Sequence, residues 1–247
     1  MFPTELTNQI FLEPYETGMT RIPDGAIDLI LTDPPYGVTD CAWDVRPDLD
    51  FMWKEFNRVL KPNGAAVITA TQPFATDLIN ANRKCFRYDL VWVKSNPVGF
   101  LNSHRMPMRQ HELVLVFYRR LPAYNPQMTA SAPRVARALK EVKDRGAGVY
   151  QKTRKIAYEH EGHYPTSILP FRKEGGGKSR HPTQKPLALF EYLINTYSNP
   201  GEIVFDPFMG SGTSAIAAIH TERNFLGFES NKEYFELANL RVGQSRV

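Results

Sequence analysis

The chain has 247 residues, enough to bury one substantial core as a single domain with an insertion or as two domains. It is 42% hydrophobic and 23% charged, as ordinary globular proteins are, and no apolar stretch approaches the length of a membrane span. Two cysteines, Cys41 and Cys85, make neither a disulfide framework nor a metal spacing, and the start "MFPTELTNQIF" lacks a signal-peptide pattern, so a reduced, cytoplasmic setting is expected.

Charge is unevenly spread. The formal net charge is +4, yet residues 119–185 hold 15 Lys and Arg against 5 Asp and Glu, leaving 15 against 21 elsewhere. A basic middle on a mildly acidic body suits a polyanion, and it equally suits a solvated basic loop.

In chain order, the apolar run 27–32 reads as a buried strand, and it ends in "TDPPYG". Prolines stop a ladder because they donate no backbone hydrogen bond, so Asp33 sits at a strand tip with its carboxylate facing a crevice. Leu49–Leu60 reads as a helix with Leu49, Met52, Phe56, Val59 and Leu60 on one face. "KPNG" is expected to stop that helix before a second buried strand at 65–71, and a shorter helix starts near Pro73. Residues 88–94 and 112–118 are further strands. Strands alternating with helices imply a mostly parallel, doubly wound sheet.

The alternation breaks after Arg120. Residues 121–166 are basic, with scattered prolines and tyrosines and one helix candidate at Pro133–Lys143, and "EGGGK" at 174–178 is a flexible joint. A helix at 186–197, a strand at 202–206, a helix from about Thr213, a strand at 224–229 and a last helix at 231–242 follow. The expected organisation is one α/β domain in two halves, 1–120 and 167–247, around a basic insertion at 121–166.

"FDPFMGSGTSAIAA" at 205–218 is a strand, a glycine turn and a helix, the arrangement that lets backbone approach a ligand at a helix N-terminus. It is not a phosphate-binding Walker loop, because Thr213-Ser214 follow Gly212 where that loop has Gly-Lys-Ser/Thr. Glu229 ends the next strand, where an acid can accept both hydroxyls of a ribose. With no Lys or Arg in the loop, the unit reads as an adenosine-cofactor site without phosphate machinery.

Asp33-Pro34-Pro35-Tyr36 together with Phe208-Met209-Gly210-Ser211-Gly212-Thr213 resembles the S-adenosylmethionine-dependent DNA amino-methyltransferases. The catalytic motif precedes the cofactor loop, an order similar to the β class, which is circularly permuted. The resemblance extends through residues 92–118, "YNPQ", "HPTQKP" and the C-terminal "RNFLGFESNKEYFELANLR". It implies a Rossmann-like methyltransferase fold with a target-recognition insertion. It implies that the Asp33 carboxylate and the Pro34 carbonyl accept the two amine hydrogens of a flipped base, that Pro35 fixes the backbone, and that Tyr36 stacks on the base. Thr32, Asp206, Phe208, Gly210, Ser211, Gly212, Thr213 and Glu229 carry over to the cofactor, with Thr183 and Lys185 at its methionine end. Where the family often has an Asp that reads the cofactor's adenine this chain has Pro14, and Glu13 or a backbone group is the candidate substitute.

Double-stranded DNA is the implied partner. Arg134, Arg137, Lys140, Lys143 and Arg145 are the candidate phosphate contacts, set against the alternative of a solvated helix. A homodimer and a cognate restriction endonuclease are further candidate partners, and no membrane is involved. Asp at the first motif position favours adenine N6, where Ser usually goes with cytosine N4; an inactive DNA-binding module is the alternative of a different class. His160-x-x-His163 is read as a solvated loop rather than a metal site. Trp43 is the one tryptophan in the loop after the catalytic motif; Trp53 and Trp92 read as core or rim.

Overall fold

The computed structural model describes residues 3–37, 44–129, 162–172 and 184–245. In chain order these form β1 (Gln9–Leu12), α1 (Tyr15–Gly18), β2 (Ile27–Thr32), α2 (Leu49–Val59), β3 (Leu60–Ala70), α3 (Phe74–Ala81) and β4 (Phe86–Val98). They continue with β5 (Arg109–Tyr118), β6 (Ile168–Leu169), α4 (Leu187–Tyr197), β7 (Ile203–Asp206), α5 (Thr213–His220), β8 (Asn224–Glu229) and α6 (Lys232–Ser245). The strands form one sheet in the order β1-β8-β7-β2-β3-β5-β4-β6, in which only β5 runs against the rest.

Side chains that alternate along a strand face opposite layers, and here both layers are apolar. In β2 and β3, Ile30, Ala66 and Ile68 join Met52 and Phe56 of α2 and Leu78 of α3 in one core. Leu29, Leu31, Ala65 and Val67 join Leu189 and Leu193 of α4 and Ala217 of α5 in the other. The sheet is therefore covered on both faces, as its predominantly apolar central strands require. Asp48 starts α2 by accepting hydrogen bonds from the Asp50 and Phe51 N–H groups.

One expectation is corrected. "KPNG" does not separate α2 from the next strand, because Leu60 already pairs with Ile27 and pairing resumes at Leu29 with Ala65. Residues 61–64 bulge out between those pairs. Gly64 is required there, since a Cβ would lie 2.9 Å from the Asp28 carbonyl oxygen. The bulge brings Lys61 Nζ to 2.6 Å from Asp28 Oδ1, while Asp28 Oδ2 accepts from the Ile203 N–H at 3.0 Å. One acid inside an apolar strand thus ties β2 to both neighbours. The N-terminal β1 and the short β6, which no periodicity announces, extend the sheet at its two edges.

The chain divides into two units, Met1–Asn125 with Ser167–Val247, and Pro126–Thr166. In the second, Thr129 and His163 exchange two backbone hydrogen bonds of 3.0 Å. The expected helix at Pro133–Lys143 and the joint at 174–178 lie outside the described residues.

Asp28→Ala removes the acceptor of a strand N–H and the partner of Lys61, and it is expected to lower unfolding free energy by about 1–3 kcal/mol. Asp28→Asn retains an acceptor and is expected to lose less. Urea denaturation of the three proteins measures both, and equal midpoints would show that Asp28 carries no stabilising role.

Candidate active site

β2 and β7 are adjacent at the middle of the sheet, so their C-terminal ends open into one crevice. The residues that follow them line a cleft of about 730 Å³ together with parts of β4, β5 and β8. At its floor Asp206, the last residue of β7, is buried and fully hydrogen-bonded. Its Oδ1 accepts from Thr32 Oγ1 at 2.6 Å and from the Phe208 N–H at 3.0 Å, and its Oδ2 accepts from Ser214 Oγ at 2.5 Å. Burial raises the Asp206 pKa to about 6 even though those three donors pull it down.

Gly212 adopts φ +80° before α5, and a Cβ there would lie 3.0 Å from Ala238 Cβ, so the turn into the helix demands glycine. The glycine turn wraps the Glu229 carboxylate: the Gly210 N–H donates to Oε2 and the Asn231 N–H to Oε1, each at 2.7 Å. Burial raises the Glu229 pKa, against the pull of these backbone donors. Across the cleft, Tyr15 and Phe208 stack obliquely with ring centres 4.8 Å apart.

Asp33 stands just past the end of β2. Its Oδ1 accepts from Tyr36 Oη and from Thr69 Oγ1, each at 2.5 Å, and its Oδ2 lies 2.6 Å from Lys185 Nζ. Lys185 is buried and also sits 3.2 Å from Glu112 Oε2, whose other oxygen is paired with Lys94. Burial alone would lower the Lys185 pKa, but Asp33 and Glu112 outweigh it and hold it above its usual value. Glu112 is the mirror case: burial pushes it up, and Lys185 and Lys94 bring it below the ordinary carboxylate range. The result is a chain of alternating charge, Asp33, Lys185, Glu112 and Lys94, whose two middle members are buried. Tyr36 is raised well above its usual value by burial and by Asp33 and Glu112, so it stays a hydroxyl donor. Its ring lies 5.6 Å from that of Phe74 and borders the cleft.

The structure brings most of the expected site residues together. Asp33, Pro34, Pro35, Tyr36, Asp206, Phe208, Gly210, Ser211, Thr213 and Glu229 all border the cleft, with Thr32 and Gly212 immediately behind it. Lys185 is in the cleft too, held on Asp33 rather than standing apart from it. Glu13 is not among the lining residues: its carboxylate is paired with Arg21, whereas Pro14, Tyr15 and Glu16 face the cleft. Thr183, Trp43 and the basic residues Arg134, Arg137, Lys140, Lys143 and Arg145 lie outside the described residues. Thr69, Lys94, Glu112 and Tyr15 escaped the reading of the sequence. Only Glu112 carried a local signal, as an acid at the start of an apolar strand.

A family model for DNA methylases matches residues 27–240. The chain is 31% identical over 244 residues to the DNA adenine methyltransferase YhdJ of Escherichia coli, covering 91% of this chain and 79% of that protein. It is 29% identical over 240 residues to the type II methyltransferase M.HpaI of Haemophilus parainfluenzae, covering 91% and 70%. Among solved structures, the M1.HpyAVI–SAM complex superposes with a TM-score of 0.65 at 27% identity over 95% of this chain and 98% of that one.

The Asp206 shift makes stability depend on pH. Because the folded pKa lies above the usual unfolded value, the carboxyl's contribution is full below about pH 4 and is lost as pH rises through about 6. Asp206→Asn cannot titrate. The unfolding free energy of the wild type relative to this variant is therefore expected to fall by about 2 kcal/mol between pH 4 and pH 7. Parallel urea titrations across that range test it, and a flat difference would contradict the shift.

Proposed function

The chain belongs to the N6/N4 DNA methylase family and is a DNA methyltransferase that uses S-adenosylmethionine; we propose that its acceptor is the N6 amine of an adenine turned out of duplex DNA. The observation that carries the proposal is Asp33 at the cleft, its Oδ1 held by Tyr36 and Thr69 and its Oδ2 facing Lys185. In this family an Asp at that position favours adenine, and the relative YhdJ is named an adenine methyltransferase.

The residues fit the cofactor. The loop 207–214 carries no Lys or Arg, which suits an adenosine group rather than a polyphosphate. Glu229 accepts one backbone N–H on each oxygen, from Gly210 and from Asn231, with lone pairs to spare for two vicinal hydroxyls. Tyr15 and Phe208 supply aromatic surface for an adenine ring. Ser211, Gly210, Thr213 and Asp206 line the space between. When bound, S-adenosylmethionine supplies an electrophilic methyl group on sulfur.

The exocyclic amine of adenine is a weak nucleophile because its lone pair is delocalised into the ring. In the proposed mechanism Asp33 Oδ2 and the Pro34 carbonyl accept one amine N–H each, drawing the nitrogen towards tetrahedral geometry and localising the lone pair. Lys185 orients the Asp33 carboxylate, and Thr69 and Tyr36 Oη fix its second oxygen. Pro35 stiffens the backbone, and the Tyr36 ring, backed by Phe74, offers the base a stacking surface worth about 1–3 kcal/mol. Arg134, Arg137, Lys140, Lys143 and Arg145 are proposed, on their charge and spacing, to hold phosphates. Thr183 is proposed at the methionine end. The type II name of M.HpaI extends the proposal to a cognate restriction endonuclease, and the β-class motif order to a homodimer.

Labelled methyl transfer from S-adenosylmethionine to unmethylated duplex DNA, followed by nucleoside analysis, tests the reading. N6-methyladenine is expected from the wild type. Asp33→Ala is expected to lose at least ~100-fold in rate. Tyr36→Phe, which keeps the ring and removes one donor to Asp33, is expected to lose about 10-fold. N4-methylcytosine as the product would replace adenine by cytosine at the same site.

A further inference from the structure

Beyond the cleft, the β4–β5 hairpin carries a feature that the proposed chemistry does not use. Its last paired residues, Val98 and Arg109, both line the cleft, so the connecting residues 99–108 rise from the rim where a flipped base would enter. At the tip Phe100 is 75% exposed and Leu101 88%, with Met106 beside them at 57%. Scattered exposed apolar residues are ordinary, but a consecutive Phe-Leu pair on a turn is a concentrated patch. The tip is also closed by backbone hydrogen bonds. The Asn102 N–H donates to Gly99, Ser103 to Phe100, and both Arg105 and Met106 to Asn102, so successive tight turns lock the backbone and present the pair on a fixed support.

The surrounding charge selects the partner. Residues 94–111 contain Lys94, Arg105 and Arg109, with His104 and His111, and no Asp or Glu. Lys94 is committed to Glu112, whereas Arg105 and Arg109 have no carboxylate partner among the described residues. Two like-charged tips would repel each other, so a second copy meeting tip to tip is disfavoured. A polyanion with apolar surface between its charges is favoured, and stacked duplex DNA is such a polymer.

We propose that the β4–β5 tip is a DNA wedge: Phe100 and Leu101 enter the base stack and fill the space that the flipped base vacates, while Arg105 and Arg109 contact the flanking phosphates. Apolar side chains inserted between base steps are a known way to hold a disrupted stack open. The inference rests on the reading of the chain as a duplex-DNA methyltransferase, and it adds to that reading the residues that stabilise the opened duplex.

The test begins by mapping the adenine that the wild type methylates. Two synthetic duplexes are then compared, one with that adenine paired to thymine and one with it opposite a mismatched base, where part of the unpairing cost is already met. Phe100→Ser/Leu101→Ser is expected to slow single-turnover methylation of the matched duplex at least ~10-fold and to recover most of that loss on the mismatched one. Its melting temperature and its affinity for S-adenosylmethionine are expected to match the wild type. Arg105→Gln is expected to flatten the logarithmic salt dependence of duplex binding by about one unit. An unchanged matched rate, or an equal loss on both duplexes, would overturn the wedge while leaving the methyltransferase reading intact. Loss of self-association in the serine variant, with equal slowing on both duplexes, would reassign the tip to a second copy. A wild type that neither binds nor methylates duplex DNA would remove both readings together.

Discussion

A single hydrogen bond, from Thr32 Oγ1 to Asp206 Oδ1, joins the tips of two adjacent strands whose residues are 174 positions apart in the chain. An ionised carboxylate inside a protein is tolerated only when donors replace its water, and Asp206 takes three from three different segments: the end of β2, the glycine turn and the first turn of α5. Those segments carry the Asp33 motif and the glycine loop. Satisfying one buried acid therefore fixes the position of both halves of the cleft relative to each other. The neighbouring carboxylate Glu229 repeats the device on a smaller scale, folding the glycine turn against the start of α6 through two backbone N–H groups.

The second constraint is electrostatic. Asp33, Lys185, Glu112 and Lys94 alternate in sign, and each buried member has at least one opposite charge close by. Such an arrangement is a weak source of stability, since desolvating four charges consumes most of their attraction. Its use is orientation. A carboxylate with one oxygen on two hydroxyls and the other on an ammonium is held in one orientation at the cleft. The hydroxyl of Tyr36 serves the same end, which ties its ring to the acid beside it.

Much of the fold was legible because its central strands are apolar on both faces and α2 and α6 start at capping residues, Asp48 and Asn231. The runs 27–32 and 224–229 coincide with β2 and β8, and the two chemical motifs lie where a strand ends and a turn begins. What was not legible depends on tertiary contacts. "KPNG" has the composition of a turn, yet β2 supplies a partner for Leu60 and the four residues are absorbed as a bulge. The resemblance puts Lys185 at the methionine end of the cofactor, and its pairing with Asp33 depends on a contact across 152 positions of the chain. Thr69 and Lys94 meet Asp33 and Glu112 only through the strand register, which no local residue pattern announces. β1 is four residues long and gains its partner only from β8, far along the chain. Glu13 was placed by analogy at the adenine end, whereas Arg21, eight residues away, claims its carboxylate.

The adjacency of β2 and β7 also has a kinetic consequence. Hairpin pairing of β4 with β5 is local in sequence, and so is the approach of β2 to β3; both can form while the chain is still largely open. The β2–β7 contact must close a loop of most of the chain's length, a slow event because the entropy of a long loop has to be lost before any contact rewards it. The cleft is thus expected to be the last part of the sheet to assemble, and the Asp33 motif waits at an unpaired strand edge until β7 arrives. A ligand that bridges the two tips binds only the completed sheet, so it draws the final folding step forward by mass action.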